Sequence, residues 1–196
     1  MTANRKPKLL AICGSLRRGS TNRKLLAIAA AGAREAGAEV TEVDLIDFPM
    51  AAFNEDDQNK GGLLETALRL RKMVYDSDGI LFAVPEYNNS LPGGFKNQLD
   101  WISRRDPEGP LSVYCFQGRF AALMAASGGS GGARRSLGEM RHILHMFGMH
   151  VIPEQVSLPN ARSAFDESGA LKDAKTAKAV AAIGARLSEV VTKLAF

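Results

Sequence analysis

Residues 9–26, "LLAICGSLRRGSTNRKLL", decide the fold. Leu9–Cys13 is an apolar run of strand length that stops at Gly14. From Thr21 or Asn22 to Glu35 the composition turns helical, with Leu25, Leu26, Ile28 and Ala29 as an inner face and Gly37 as its stop. A strand passing through a glycine turn directly into a helix is the opening βα unit of a parallel sheet. The turn, Gly14 to Thr21, has the glycine spacing of a triphosphate loop, G-x-x-x-x-G-K-[ST], but Ser20 stands where the lysine belongs. The free N–H groups and the dipole at a helix start still make an anion site. Ser15, Ser20, Thr21 and Asn22 add neutral donors, and Arg17 adds a full charge that can grip phosphate oxygens. A triphosphate site also needs an acidic residue for magnesium, and the third strand ends in Pro85-Glu86 instead. A donor-rich loop without lysine suits one terminal phosphate, as on a mononucleotide cofactor. The bland alternative is a polar turn ahead of a capped helix.

The same alternation runs through the rest of the chain. Glu39–Leu45 reads as a second strand, and Leu63, Ala67, Leu70 and Val74 recur at helical spacing. Gly79–Val84 is continuously apolar, as for a strand covered on both faces. Pro92 to Arg104 reads as a helix, with Ser90 near the cap and Pro92 in the first turn. Arg119–Ser127 is a fourth strand, and Leu137, Met140, Leu144 and Phe147 mark a fourth helix. Met149–Ile152 is a brief fifth strand, followed by a loop over 153–170 and a last helix carrying Val180, Ile183, Leu187, Val190 and Leu194. Five βα units without a composition break predict one domain over residues 1–196: a parallel sheet in the order 2-1-3-4-5 with helices on both faces. Ligands of such sheets sit beyond the carboxyl ends of the strands. That rule singles out the loops after the first, third and fourth strands.

The loop after the third strand, "PEYNNSLPGGFKNQLDWISR" from Pro85 to Arg104, carries most of the specificity. Tyr87 offers an aromatic face, the backbone around Glu86 and Asn88 can bond a polar ring edge, and Gly93 and Gly94 permit close approach of main chain to a flat ligand. Together with "GSLRRGSTN", this segment resembles the NADPH-dependent FMN reductases, a flavodoxin-like family. The phosphate turn G-S-x-R-x-x-S-x-N is matched by Gly14, Ser15, Arg17, Ser20 and Asn22. The flavin-edge turn P-E-Y-N-x-S-x-P-G-x-x-K-N-x-[IL]-D-W is matched by Pro85, Glu86, Tyr87, Asn88, Ser90, Pro92, Gly93, Lys96, Asn97, Leu99, Asp100 and Trp101. The resemblance implies a flavodoxin-like three-layer α/β sandwich that binds FMN and takes hydride from NADPH, with NADH an alternative donor. It implies small-molecule electron acceptors: quinones, azo compounds, free flavin or oxyanions such as chromate. Phosphate contacts fall to Ser15, Arg17, Ser20, Thr21 and Asn22, and ring contacts to Pro85, Glu86, Tyr87 and Asn88. In "SGGSGGAR", which lacks the last glycine of a dinucleotide fingerprint, Ser127, Gly128 and Gly129 become backbone donors to the pyrimidine edge. A flexible connector is the alternative reading of that loop. Family members assemble as dimers or tetramers, so a homodimer or homotetramer is expected. A flavodoxin-type electron carrier and a nucleotide-binding switch are the rival functions.

The remaining residues restrict these readings. Net charge is +4, with charges scattered, which suits an anionic small molecule rather than nucleic acid and sets the chain apart from the strongly acidic carriers. Cys13 and Cys115 are too few and too far apart for a disulfide framework, and Cys13 is expected to be buried and inert. No run approaches the ~18 apolar residues of a membrane span, and the basic start lacks a signal-peptide pattern. A cytoplasmic protein is expected. His142, His145 and His150 lack the acidic neighbours of a metal site, Phe95 and Trp101 read as core, and Lys96 with Asp100 reads as a surface pair. No side chain is singled out as catalytic, because a flavin carries its own chemistry.

Overall fold

The computed structural model describes residues 5–104 and 115–194; residues 1–4, 105–114 and 195–196 of the expected 1–196 domain lie outside them. Strands β1 (Lys8–Cys13), β2 (Glu39–Val43), β3 (Gly79–Ala83), β4 (Phe120–Ala126) and β5 (His150–Leu158) form one parallel sheet in the order 2-1-3-4-5. Strand alternation sorts the side chains into two cores. Leu9, Ala11, Cys13, Leu81, Ala83 and Met124 face α1 (Thr21–Glu35) and α7 (Ala174–Leu194). Leu10, Ile12, Ile80, Phe82 and Leu123 face α3 (Glu65–Tyr75), α4 (Gly93–Ile102) and α5 (Arg134–Met146). With helices on both faces, β3 and β4 are buried along their whole length.

Helix α1 begins and ends on the signals in its sequence. Ser20 caps it by accepting the N–H of Asn22. Past its end Gly37 adopts φ +93°, while the N–H groups of Gly37 and Ala38 return to the carbonyls of Arg34 and Ala33. Its partner α7 crosses it at glycines. A Cβ on Gly184 would stand 1.8 Å from the Ala29 carbonyl oxygen, and one on Gly32 would stand 2.2 Å from that of Ala181.

Most strand and helix ends fall within a residue or two of the sequence reading, and the larger differences lie after β2, before α3 and in β5. The second strand stops at Val43, and Leu45–Asp47 forms a 3-10 turn capped by Asp44. A short helix, α2 (Glu55–Gly61), precedes α3; it has no buried residue, hence no apolar period to betray it. The largest difference is β5, which continues through Pro153 to Leu158. Proline removes a ladder donor and reads as a stop, but β5 is an edge strand, where a missing N–H is tolerated. The register with β4 also slips there: Ala121 pairs with Val151 and Leu123 with Gln155. Both Nη atoms of Arg141 donate to the Ile152 carbonyl at 3.1 Å inside that bulge. A one-turn helix, α6 (Ala161–Ala164), then leads toward α7.

Candidate functional site

The strand ends β1, β3 and β4 deliver their loops to one edge of the sheet. In the first loop Ser15 and Ser20 are only 3% exposed, while Arg17, Arg18 and Gly19 stand out in solvent. The glycine that opens the turn answers a packing demand: a Cβ on Gly14 would lie 2.5 Å from the Phe95 ring. Asn22 is more committed than a phosphate donor would be. Its Nδ2 donates to the Ala126 carbonyl and its Oδ1 accepts the Ala126 N–H, both at 2.8 Å, so its side chain locks α1 to the end of β4. Behind the turn, Arg23 pairs with Asp44 at 2.9 Å and reaches the Ser15 carbonyl at 3.4 Å. Burial works against the charge on Asp44, but Arg23 and the Ile46 N–H outweigh it and hold the carboxyl below its usual range.

The second loop is a small hairpin fastened to α5. Tyr87 and Ser90 exchange backbone hydrogen bonds of 2.9 and 3.0 Å around Asn88 and Asn89, at φ +51° and +65°. Two positive-φ positions in a row define a tight hairpin turn that asparagine tolerates and most residues do not. The Asn88-Asn89 pair is thus a backbone requirement. Glu86 accepts the N–H groups of Arg135 and Ser136, capping a helix whose own Ala133 offers no side-chain cap. In return Glu139 on α5 accepts the Ser90 hydroxyl and the Leu91 N–H. The second half of the motif is structural: Asn97, Gln98 and Trp101 bond backbone groups of residues 45–53. Phe95 and Trp101 are core residues, each 2% exposed. Lys96 and Asp100 form the expected surface pair at 2.7 Å.

The third loop is tied down on both sides. The Ser127 N–H donates to the Leu158 carbonyl, the Ala161 N–H to the Ser127 carbonyl and the Asn160 N–H to the Gly129 carbonyl. This is an ordered turn with main-chain groups presented at the sheet edge, not a loose connector. Ser127 Oγ also accepts the Gly129 N–H at 3.2 Å.

These loops enclose one cavity of about 630 Å³. Ten of the expected residues line it: Ser15, Arg17, Ser20, Thr21, Asn22, Pro85, Glu86, Tyr87, Ser127 and Gly128. Asn88 and Gly129 do not; the first shapes the hairpin and the second lies just behind Ser127. Gly19, Lys24, Ala126 and Arg162 line it too, beyond what was read from sequence. Lys24 was legible in principle, one helical turn beyond Ser20. Arg162 lies in a stretch without any motif. The donor set fits a flavin mononucleotide. At one end are hydroxyls, first-turn N–H groups and Arg17 for a phosphate; at the other are a proline, a tyrosine and exposed main chain for a flat ring. The volume lies within the ordinary range for cofactor sites. Elsewhere, no group of three His, Cys, Asp or Glu among the described residues is placed to hold a metal ion. His142, His145 and His150 are exposed, the last against the Phe120 ring. Both cysteines are buried, and burial raises both thiols, Cys115 to about 11. No helix among the described residues is long and apolar enough to cross a membrane.

Comparison with known proteins gives the same picture. A family model described as NADPH-dependent FMN reductase matches residues 7–163. An NAD(P)H:quinone oxidoreductase of Solanum tuberosum is 34% identical over 199 residues, spanning 99% of this chain and 97% of its own. An NAD(P)H-dependent FMN reductase of Pseudomonas aeruginosa is 37% identical over 86% of each chain. Among solved structures, the flavoenzyme FerB, an NAD(P)H:(acceptor) oxidoreductase from Paracoccus denitrificans, superposes with a TM-score of 0.79. It shares 26% identity over 95% of this chain and 98% of its own.

Proposed function

The chain belongs to the NADPH-dependent FMN reductase family of oxidoreductases, and from that premise we propose that it is a quinone-type reductase. It holds FMN in the cavity at the sheet edge and passes two electrons from NADPH or NADH to small acceptors. The observation that carries this reading is the convergence of three strand-end loops on one cavity with a helix N-terminus at one end. Ser15, Arg17, Ser20 and Thr21 hold the phosphate, with the dipole of α1 behind them. Asn22 sets the distance between that turn and Ser127 through its two bonds to Ala126. Pro85, Glu86 and Tyr87 flank the ring through backbone and aromatic surface, and Asn88 fixes the hairpin that presents them. Ser127, Gly128 and Gly129 offer main-chain donors to its polar edge.

FMN, held by the phosphate turn and the Pro85–Tyr87 hairpin, would supply the redox chemistry that carries electrons from the nicotinamide coenzyme to the acceptor. The chain's share is to bind it, orient it and leave one ring face open, so no side-chain acid or base is required. Half-exposed Tyr87 stands at the mouth, where a flat acceptor such as a quinone can stack. Azo compounds, free flavin and chromate are further acceptors that such an open face admits. Tyr87 and the exposed Met146 on α5 would pack in a homodimer or homotetramer, which light scattering tests. Buried free thiols suit a reducing cytoplasm.

The absorption spectrum of the purified protein decides the cofactor: flavin bands are expected, and their absence after loading with FMN would sink the reading. Stopped-flow mixing with NADPH decides the activity. Bleaching within seconds is expected of a reductase, whereas bleaching over many minutes would make the protein a flavodoxin-type carrier.

A further inference from the structure

Two cations on the cavity wall lie outside the phosphate turn. Lys24 projects from α1 so that its ammonium sits 5.5 Å from the centre of the Phe165 ring, beside Gly169. Arg162, on α6, lies across Gly128, where an added Cβ would stand 3.1 Å from Nε. Both line the cavity. Among the described residues neither side chain has a hydrogen bond or a salt bridge. Asp166, in the same segment, is turned into its own loop by Ser168 and Ala170. Elsewhere in the fold, cations such as Arg23, Arg34 and Arg186 are paired with carboxylates. Lys24 and Arg162 are instead placed by packing, and their charge is left for something that enters the cavity.

We propose that Lys24 and Arg162 form a second anion subsite that receives the 2′-phosphate of NADPH and so sets preference for NADPH over NADH. The proposal rests on FMN occupying the cavity with its phosphate at residues 15–21. That turn has its own charge, Arg17, and its own donors, so one monoester is served without the pair. Arg162 is exposed and Lys24 half-buried, which suits a group that arrives and leaves in each turnover. NADPH and NADH differ by one dianionic phosphate, so two otherwise unpaired cations discriminate directly between them.

The test uses FMN-loaded protein and two variants, Arg162→Ala and Lys24→Met, the second keeping contact with Phe165. Adenosine 2′,5′-bisphosphate and 5′-ADP are titrated calorimetrically, and kcat/KM is measured with both coenzymes. The bisphosphate is expected to bind wild type more tightly than 5′-ADP. Each variant should lose roughly tenfold or more of that advantage, with an equal fall in the NADPH:NADH ratio of kcat/KM. Arg162→Lys, which keeps the charge, should restore part of it. Equal losses for both coenzymes would overturn the proposal, because the pair would then meet the shared pyrophosphate. So would weaker FMN binding with riboflavin binding unchanged, which would assign the pair to the flavin phosphate. Failure of the wild type to bind FMN at all would instead remove the underlying site reading, and fluorescence titration of the apoprotein separates that case.

Discussion

Asn22 illustrates how a motif residue divides between chemistry and architecture. Its carboxamide makes a two-point bond with both backbone groups of Ala126, buried between α1 and β4. Asn22→Ala leaves an N–H and a carbonyl without partners, at about 1–3 kcal/mol for each group so stranded. Urea denaturation is expected to show a clear fall in midpoint, and FMN affinity should fall with it because Ser127 follows Ala126. A variant of full stability would mean that water replaces the amide. The sequence motif made Asn22 visible but not its task, since only the fold brings residue 126 beside residue 22. Gly14 is similar: its spacing suggests a phosphate turn, yet Phe95, far along the chain, is what forbids a side chain there. Cys13 is buried, as its place at a strand end suggests, and Cys115 is buried as well. Burial raises both thiols, Cys115 to about 11, so a disulfide reagent at pH 8 should label neither until the protein is unfolded. Labelling of native protein at that pH would show that one of them opens to solvent.

Helices α1 and α7 cross where three-residue arithmetic says little but steric contact says much. A Cβ added to Gly184 would stand 1.8 Å from the Ala29 carbonyl oxygen. That neighbour is backbone, so Gly184→Ala must push the helices apart, at a cost of about 1–3 kcal/mol or more. Gly138 lies within α5 with nothing within 4 Å of its added Cβ, so Gly138→Ala should gain up to about 1 kcal/mol through helix propensity. Opposite shifts in thermal midpoint are therefore expected from the same substitution, and shifts of one sign would contradict the packing described. From the sequence these two glycines look alike, because both interrupt an amphipathic period. The elements themselves were legible wherever an apolar period existed, as in β3, β4, α5 and α7. Those that were not had a physical reason: α2 buries nothing, and β5 hides its length behind Pro153 and a bulge secured by Arg141. The β-to-α loops were found because a parallel sheet brings every strand's carboxyl end to the same edge, whatever the order of the strands across it.

At the scale of the molecule, the cavity is walled by segments that the sheet and a few bonds, such as Ala161 N–H to the Ser127 carbonyl and Asn22 to Ala126, hold together. Its walls come from the turn before α1, the hairpin after β3, the turn after β4 and the one-turn helix after β5. A ligand bridging them stabilises the folded state alone, by RT ln(1 + [L]/Kd), or about 2.7 kcal/mol at a hundredfold excess over Kd. For a chain of this size each kcal/mol moves the midpoint by roughly 2–4 °C. Stripping the flavin should therefore lower the melting temperature by about 5–10 °C, and adding FMN should restore it in a concentration-dependent way. Riboflavin keeps the ring and loses the phosphate, so at equal concentration it should restore much less. Its deficit should shrink in Arg17→Ala protein, where the charge that meets the phosphate is gone. If FMN and riboflavin protect equally in the wild type, the turn of residues 15–21 contributes nothing to a phosphate, and the cavity binds its ligand through the ring end alone.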